Sequence, residues 1–387
     1  MKPTRLPSHA PPPHGLFVRG APASNRRHNP FIHTLPNQVT SIRFIPEWEK
    51  QSAVLIAWPP GSGDFAPWLE EVEQTYAAIA AAVSRRETLL IACLDRSHER
   101  RIGTILANTG TDYCSRVVFV RIPYDDIWVR DTAPLSRLHE GRLELLDFRF
   151  NGWGGKYDCA DDAALAARLV TMGIFGQTPR VAVDFVLEGG SVETDGLGTV
   201  LTTSQCLLNP NRNPGYSRVE IEARLMETLG TDRILWLDHG KAEGDDTDAH
   251  VDTLARFCSE HTIAYTACDD ASDPHYAPLK AMERQLQEMK QRDGQPYSLV
   301  PLPIPQPIRD GKGRRLPATY ANFLIINGAV LVPVYGDPAD AVALERLGPC
   351  FLGREIVPIH CTPLIRQYGS LHCMTMQFPE AAGVSRP

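Results

Sequence analysis

The chain has 387 residues, a formal net charge of −7 at pH 7 and 43% hydrophobic residues, so it can fold as a globular protein with a sizeable core. The acidic balance argues against nucleic acid or an anionic membrane surface as a partner, and no apolar run approaches the length of a membrane span. The composition is compatible with a cationic small molecule as ligand.

Nine cysteines are scattered along the chain without a C-x-x-C pair. An odd number of separated cysteines is typical of a reducing compartment, and it predicts neither a disulfide framework nor a structural zinc site. We therefore expect a cytoplasmic protein.

Residues 1–38 differ in composition from the rest, with eight prolines, five Lys or Arg, four His and no acidic residue. The prolines exclude a long amphipathic helix, and there is no signal-peptide apolar core. We expect a disordered basic tail, with a misassigned start or an organelle-targeting segment as alternatives. A single catalytic domain is expected over residues 39–380, followed by a short tail over 381–387.

From residue 44 onward the hydrophobic spacing predicts five strand–helix–strand units. The predicted strand pairs are 53–58 with 89–94, 142–150 with 180–186, 199–203 with 234–237, 263–268 with 298–302, and 329–334 with 355–359. The predicted helices between them cover 70–86, 161–172, 218–229, about 279–289, and 339–347. In the third helix, Ser217 and Glu220 form a capping box at the start and Gly230 marks the end.

Two layouts fit five such units. The units can repeat around an axis, or they can form one open doubly wound sheet, which composition alone favours. No G-x-G-x-x-G motif opens any of the predicted helices, so a dinucleotide site is not expected.

Five side chains suited to acid–base or nucleophilic chemistry follow the outer strands of these units. They are Asp131, Glu188, His250, Asp252 and Cys373. Structural alternatives exist for each: Asp131 could pair with Arg130, Glu188 could lie in a turn, and an isolated cysteine is most often a small buried hydrophobe. His250 and Asp252 would share one face of a strand, which suits a metal site or an acid–base pair.

The combination of a thiol with several carboxylates is more specific than its parts. Carboxylates facing a thiol raise its pKa and weaken it as a nucleophile. Such a site makes sense if the substrate brings the positive charge. A guanidinium does so, because its planar N–H fork matches carboxylates and its cation favours the thiolate.

Ten short motifs follow one another in unbroken order over residues 42–380. They are IPEWE at 45–49, AWP at 57–59, WVRDT at 128–132, LEGGS at 187–191, CLLNPNRNP at 206–214, HVDTLARF at 250–257, YANF at 320–323, GDP at 336–338, GRE at 353–355 and LHC at 371–373. On these motifs the chain resembles the agmatine deiminase family, part of the guanidine-modifying superfamily that includes bacterial peptidylarginine deiminases. The resemblance implies a five-bladed α/β-propeller (the pentein fold).

The resemblance also assigns roles to matching positions. Cys373 resembles the nucleophile and His250 the general acid/base, with Glu188 supporting both His250 and the substrate. Asp131 and Asp252 resemble the carboxylates that bind the guanidinium. Trp128 is expected to line the pocket against the substrate's alkyl chain. The implied chemistry needs no metal and no organic cofactor, and the implied product is N-carbamoylputrescine, on a cytoplasmic route to putrescine.

The chain departs from the family pattern around the rim of the site. Pro60-Gly61-Ser62-Gly63 follows the first Trp-Pro, and Ala249 stands where Gly often precedes the histidine. Agmatine is the expected substrate, with peptidyl or free arginine as the alternative. A metal-binding hydrolase using His250 and Asp252, or a non-catalytic binding module, is the alternative from another class. The oligomeric state stays open, with a homodimer as one option.

Overall fold

The computed structural model describes residues 42–109 and 113–384. The basic tail predicted for residues 1–38 lies outside these described residues. Within them, no helix has both the length and the apolar character needed to cross a membrane.

The described residues contain seventeen strands and eleven α-helices. The strands are β1 (Ile42–Phe44), β2 (Gln51–Ala57), β3 (Thr88–Cys93), β4 (Val117–Arg121), β5 (Leu135–His139), β6 (Arg142–Arg149), β7 (Arg180–Val186), β8 (Val192–Thr194), β9 (Thr199–Thr203), β10 (Arg233–Leu237), β11 (Ala255–Ser259), β12 (Thr262–Thr266), β13 (Ser298–Leu302), β14 (Leu324–Ile326), β15 (Ala329–Val334), β16 (Glu355–His360) and β17 (Thr375–Pro379). The helices are α1 (Leu69–Ser84), α2 (Arg96–Asn108), α3 (Tyr113–Arg116), α4 (Val129–Thr132), α5 (Gly152–Gly155), α6 (Leu165–Thr171), α7 (Ser204–Leu207), α8 (Arg218–Leu229), α9 (Tyr276–Glu288), α10 (Ala339–Leu347) and α11 (Thr362–Ile365).

These strands form five separate sheets that share one plan. The strand orders are β17-β2-β3-β4, β1-β5-β6-β7, β8-β9-β10, β11-β12-β13 and β14-β15-β16. In each sheet one strand has an antiparallel neighbour on one side and a parallel neighbour on the other. The parallel neighbour follows that strand in the chain after one long helix. The five helix-linked pairs are β2–α1–β3, β6–α6–β7, β9–α8–β10, β12–α9–β13 and β15–α10–β16.

These five pairs correspond to the five predicted units, so the mixed α/β class is confirmed. The alternative of one open sheet is wrong, because the described strands fall into five sheets. The antiparallel partner strands and helix α2 were not predicted. The partner strands β8, β11, β14 and β17 are only three to five residues long, too short to show a clear periodicity.

Helix α8 shows why local patterns predicted these units well. The backbone N–H of Ser217 donates to Glu220 Oε2 at 2.8 Å, and the backbone N–H of Glu220 donates to Ser217 Oγ at 3.4 Å, which satisfies two otherwise free donors at the helix start. Ile221 and Leu225 of this helix are buried, and burial of each such side chain contributes about 1.5–3 kcal/mol.

The last strand of the chain belongs to the same sheet as β2. β17 pairs antiparallel with β2, with Thr375 opposite Ile56. Cys373 therefore lies in a turn just before the start of β17. Because the C-terminal strand is anchored to an N-terminal one, the position of Cys373 is fixed by a pairing between the two ends of the described chain.

Candidate active site

Turns carry three of the predicted site residues. Glu188 precedes a 3-10 turn at Gly189–Ser191, and Asp131 lies in the short helix α4. His250 precedes a second 3-10 turn, at Val251–Thr253. The first backbone N–H groups of such turns have no partner within the turn, so they can donate hydrogen bonds to polar side chains nearby.

The prediction that His250 and Asp252 lie on a strand is wrong. The two preceding residues, Asp248 and Ala249, have φ of 65° and 67°, in the left-handed region, and they turn the chain sharply. The backbone N–H of Ala249 donates to Asp245 Oδ2 at 2.6 Å, which stabilises this turn. The turn, not strand alternation, brings His250 and Asp252 to the site.

Two donors hold the carboxylate of Asp131. The backbone N–H of Gly190 donates to its Oδ1 and Trp153 Nε1 donates to its Oδ2, both at 2.9 Å. Burial raises the pKa of Asp131. The alternative that Asp131 pairs with Arg130 is wrong, because the Arg130 guanidinium lies 3.0 Å from Glu47 instead.

Glu188 lies fully buried beside a buried cation. Arg212 Nε donates to Glu188 Oε1 at 2.8 Å. Its other oxygen, Oε2, lies 3.9 Å from His250 Nε2 and 4.0 Å from Cys206 Sγ. The guanidinium of Arg212 thus balances the charge of Glu188, while one carboxylate oxygen faces the imidazole.

His250 lies between two carboxylates, with Nδ1 3.7 Å from Asp131 Oδ1 and Nε2 3.9 Å from Glu188 Oε2. Neither ring nitrogen has a hydrogen-bond partner, although the side chain is buried. Burial lowers the pKa of His250, but the negative charges around it, above all Asp131, outweigh burial and raise the pKa well above its ordinary value. The geometry favours an imidazolium that can give a proton to a group placed beside it.

The thiol of Cys373 contacts a donor and a carboxylate. Asn322 Nδ2 donates to its Sγ at 3.2 Å, and the Sγ lies 3.6 Å from Asp252 Oδ2. Burial, followed by the charges of Asp252 and Asp131, raises the pKa of the Cys373 thiol well above its ordinary value. In the free protein the sulfur is therefore held as a thiol at neutral pH, as the sequence predicted for a thiol facing several acids.

We expect the alkylation of Cys373 by the neutral reagent iodoacetamide to be slow at pH 7 and to rise about tenfold per pH unit towards pH 9. The thiolate is the reactive form, and its fraction grows with pH as long as the pH is below the raised pKa. Mass spectrometry of the Cys373 peptide would measure the rate apart from the other cysteines. A cationic haloacetamidine should label Cys373 faster at pH 7, because its charge favours the thiolate. Pronounced reactivity toward iodoacetamide that does not change between pH 6 and 8 would contradict a raised thiol pKa.

Three of the predicted side chains converge on Gly190. A Cβ atom at this position would lie 2.7 Å from His250 Nδ1, 3.0 Å from Asp131 Oδ1 and 3.1 Å from Asp252 Oδ2. Asp252 Oδ1 is also buried without a hydrogen-bond partner. Unpartnered buried polar atoms are costly, so Asp252 Oδ1 is suited to accept an N–H group of a ligand.

A cleft of about 480 Å³ reaches this site. Cys373, Asp131 and Trp128 line it, and Gly369 packs against the Trp128 ring so closely that a Cβ would lie 2.3 Å from it. The other lining residues are Asp64, Asp126, Trp153, Tyr157, Asp246, Thr247, Gln367 and Tyr368. Among the described residues that line this cleft, four are acidic and none is Lys or Arg, so the cleft has a negative potential.

Two side-chain clusters among the described residues have the composition of metal sites, Glu188–Cys206–His250 and Glu47–Glu193–His372. In both clusters the carboxylates already have arginine partners. Glu188 pairs with Arg212, while Glu47 and Glu193 share Arg256. A cation beside each carboxylate disfavours a divalent ion there, so the donor sets fit a charge-balanced protein network better than a metal.

The sequence interpretation missed several residues that support the site. Trp153 lies among the glycines 152, 154 and 155, and its own φ is 53°. This run of glycines was the sequence signal that could have indicated an unusual backbone there. Arg212, Asn322 and His372 lie inside motifs that carried the family resemblance, but no role was assigned to them. Their partners lie far away along the chain, so spacing alone gave no indication of the contacts.

Comparison with known proteins assigns this arrangement to a family. The family model described as Porphyromonas-type peptidyl-arginine deiminase matches residues 43–379. The chain belongs to this family. An agmatine deiminase of Stutzerimonas stutzeri (strain A1501) is 33% identical to it over 356 residues, which are 86% of this chain and 94% of that protein. The predicted relationship to agmatine deiminases is confirmed.

Two solved structures are similar along almost their whole length. One from Porphyromonas gingivalis, named "Putative Arginine Deiminase", is 47% identical with a TM-score of 0.83, covering 88% of this chain and 99% of that chain. An agmatine deiminase of C. jejuni with substrate bound is 37% identical with a TM-score of 0.81, covering 89% of this chain and 98% of that chain.

Proposed function

We propose that this protein is an agmatine deiminase, which hydrolyses the guanidinium of agmatine to N-carbamoylputrescine and ammonia. The observation that carries the choice of substrate is the charge of the cleft, which is lined by Asp64, Asp126, Asp131 and Asp246. Agmatine is cationic at both ends, with a guanidinium and a primary ammonium. An acidic cleft around a buried thiol therefore suits both ends of this molecule.

In the proposed reaction, the guanidinium lies between Asp131 and Asp252, and its charge favours the thiolate of Cys373, whose proton is released to solvent when the substrate binds. The sulfur attacks the guanidinium carbon and forms a tetrahedral adduct. His250, as imidazolium, donates its proton to the departing nitrogen, and ammonia leaves a thiouronium bound to Cys373.

Hydrolysis of this intermediate uses the same groups. His250, now neutral, takes a proton from a water molecule, and the resulting hydroxide attacks the thiouronium carbon. The resulting tetrahedral adduct breaks its C–S bond and its hydroxyl group loses a proton to solvent, which releases the neutral ureido product and restores the Cys373 thiolate. Glu188 supports the charged imidazole during both steps, and Asp131 and Asp252 supply the electrostatic stabilisation.

The same proposal includes the arrangement of the sheets. We infer that the five sheets surround a common axis as a five-bladed α/β-propeller, with the site loops at one end of the axis. The repeated strand plan and the pairing of β17 with β2 support this arrangement.

Free or peptidyl arginine is the second candidate, since the family model and the P. gingivalis structure carry arginine in their names. The α-carboxylate of free arginine needs a cationic partner. Lys156 and Arg314 both lie near lining residues without lining the cleft. Lys156 is bound to Asp248 at 3.2 Å and to the carbonyl oxygen of Asp246 at 2.6 Å, and Arg314 is bound to Asp310 at 2.7 Å. The described residues that line the cleft thus include acids, which repel the α-carboxylate of free arginine, and no cation that could bind it.

Ammonia release from agmatine, free arginine and an arginyl peptide, measured side by side, tests the choice of substrate. We expect kcat/KM to be at least about 100-fold higher for agmatine, because the α-carboxylate of free arginine meets acids where agmatine carries only hydrogen, and the arginine of a peptide lacks the primary ammonium that these acids attract. Burial raises the pKa of Asp126 to about 6, so the comparison is made at pH 8, where this acid is ionised. A higher kcat/KM for either arginine substrate would overturn the proposal for agmatine.

A further inference from the structure

The residue before the proposed nucleophile, His372, is held between two carboxylates. Its Nδ1 lies 2.8 Å from Asp252 Oδ2, and its Nε2 lies 2.8 Å from Glu47 Oε1. The side chain is buried. A neutral imidazole donates through only one nitrogen, whereas an imidazolium donates through both, so two ionised carboxylate partners fit the charged form.

Two buried arginines fix the Glu47 end of this contact. Arg256 Nη2 lies 2.6 Å from Glu47 Oε2, and Arg130 Nη1 lies 3.0 Å from Glu47 Oε1. Burial raises the pKa of Glu47, but the charges of His372, Arg256 and Arg130 outweigh it and hold the pKa well below its ordinary value. Glu47 is therefore an ionised, immobile acceptor for His372 Nε2.

The Nδ1 side of His372 determines the orientation of the Asp252 carboxylate. His372 Nδ1 and Cys373 Sγ both approach Asp252 Oδ2, at 2.8 and 3.6 Å. Asp252 Oδ1 stays buried without a partner. The hydrogen bond from His372 thus fixes the rotation of the carboxylate and leaves one oxygen available to a ligand.

We propose that His372 is a positioning residue, an imidazolium fixed by Glu47 that orients Asp252 so that one carboxylate oxygen is free to accept an N–H of the guanidinium. This inference rests on the proposed function, since it needs a guanidinium in the site. It does not depend on what the far end of the substrate carries. Nothing in the resemblance assigned a role to this histidine.

Two amide variants separate the two ends of the histidine. In His372→Asn the amide nitrogen replaces Nδ1 and keeps a donor toward Asp252, while the donor toward Glu47 is lost. In His372→Gln the amide nitrogen replaces Nε2 and keeps the donor toward Glu47, while the donor toward Asp252 is lost. Both variants remove the same imidazole and the same charge, so each is a control for the other.

The measurements are KM and kcat for ammonia release, and the Kd of agmatine in a Cys373→Ser background by calorimetry. We expect His372→Gln to weaken binding of agmatine by roughly 10- to 100-fold, the usual effect of losing a hydrogen bond to a charged group. We expect His372→Asn to stay within about threefold of its parent in Kd. Thermal denaturation of both variants measures the structural loss, and it should be similar for the two.

Equal agmatine affinity in the two folded variants would overturn the inference, because a purely structural histidine does not distinguish its two ends. Tighter binding in His372→Gln than in His372→Asn would overturn it as well. If the unsubstituted protein releases ammonia from arginine and not from agmatine, the proposed function fails. The same two variants are then compared with arginine, and a selective loss in His372→Gln still supports the positioning role.

Discussion

Replacing Cys373 with serine is expected to reduce ammonia release from agmatine by roughly 10⁴-fold or more, because the reaction then has no sulfur nucleophile. A hydroxyl is far harder to deprotonate than a thiol, and the acids around this position already disfavour an anion there. Binding of agmatine should persist, since Asp131 and Asp252 keep their contacts with Gly190, Trp153 and His372.

The measurement combines an ammonia assay with calorimetric titration of agmatine. Cys350→Ser is the matched control, because Cys350 is a half-buried thiol in the 3-10 turn Gly348–Phe351 after α10 and does not line the cleft. Its activity should equal that of the unsubstituted protein. Near-normal ammonia release from Cys373→Ser would exclude Cys373 as the nucleophile. Loss of activity on adding a chelator to the unsubstituted protein would instead favour the metal-dependent alternative.

The sequence predicted the repeated units because each depends on local signals. In α8, for example, the N-cap, the capping box and the final glycine all lie within one segment, and the predicted range 218–229 equals the observed one. The short antiparallel strands were missed because their stability comes from pairing with a neighbour. The pairing of β17 with β2 joins residues more than 300 positions apart, and no local pattern encodes it.

The five predicted chemical positions do lie near one another, but the backbone beneath them was partly misread. His250-Val251-Asp252 alternates as a strand would, yet the left-handed φ of Ala249 turns the chain before His250. A non-glycine residue in this region costs roughly 1 kcal/mol. The sequence did show Ala249 at a place where the family often has glycine. The φ angle of Ala249 explains that difference, because it is positive and glycine adopts such an angle freely.

The spacing of residues along the chain also could not predict which buried acids are paired with arginines. Arg212 neutralises Glu188, and Arg256 and Arg130 neutralise Glu47, so the acidic site is surrounded by buried cations. Ion pairs of this kind are strongly destabilised when one partner is removed. Their arginines therefore belong to the stability of the site, while His250 and Asp252 Oδ1 keep buried polar atoms without a hydrogen-bond partner.

Substitution of Gly190 by alanine is expected to lower kcat/KM by at least about 100-fold, although no ionisable group is changed. The added Cβ would lie 2.7 Å from His250 Nδ1, closer than real Cβ contacts, and about 3 Å from the carboxylates of Asp131 and Asp252. The methyl group must either displace these side chains or occupy the space where the three converge. Either result removes the simultaneous access of one ligand to an imidazolium and two carboxylates.

Gly103→Ala provides the control for this substitution, because it is the same chemical change inside helix α2 and its Cβ would have no atom within 4 Å. It should leave kcat/KM unchanged and stabilise the protein by roughly 1 kcal/mol through helix propensity. Ammonia release and thermal denaturation would be measured for both variants. Unchanged kcat/KM in a folded Gly190→Ala protein would mean that the guanidinium does not lie among His250, Asp131 and Asp252. The proposed site would then have to be abandoned, even if Cys373 proved essential, because a thiol surrounded by acids depends on a cation at this point to become a nucleophile.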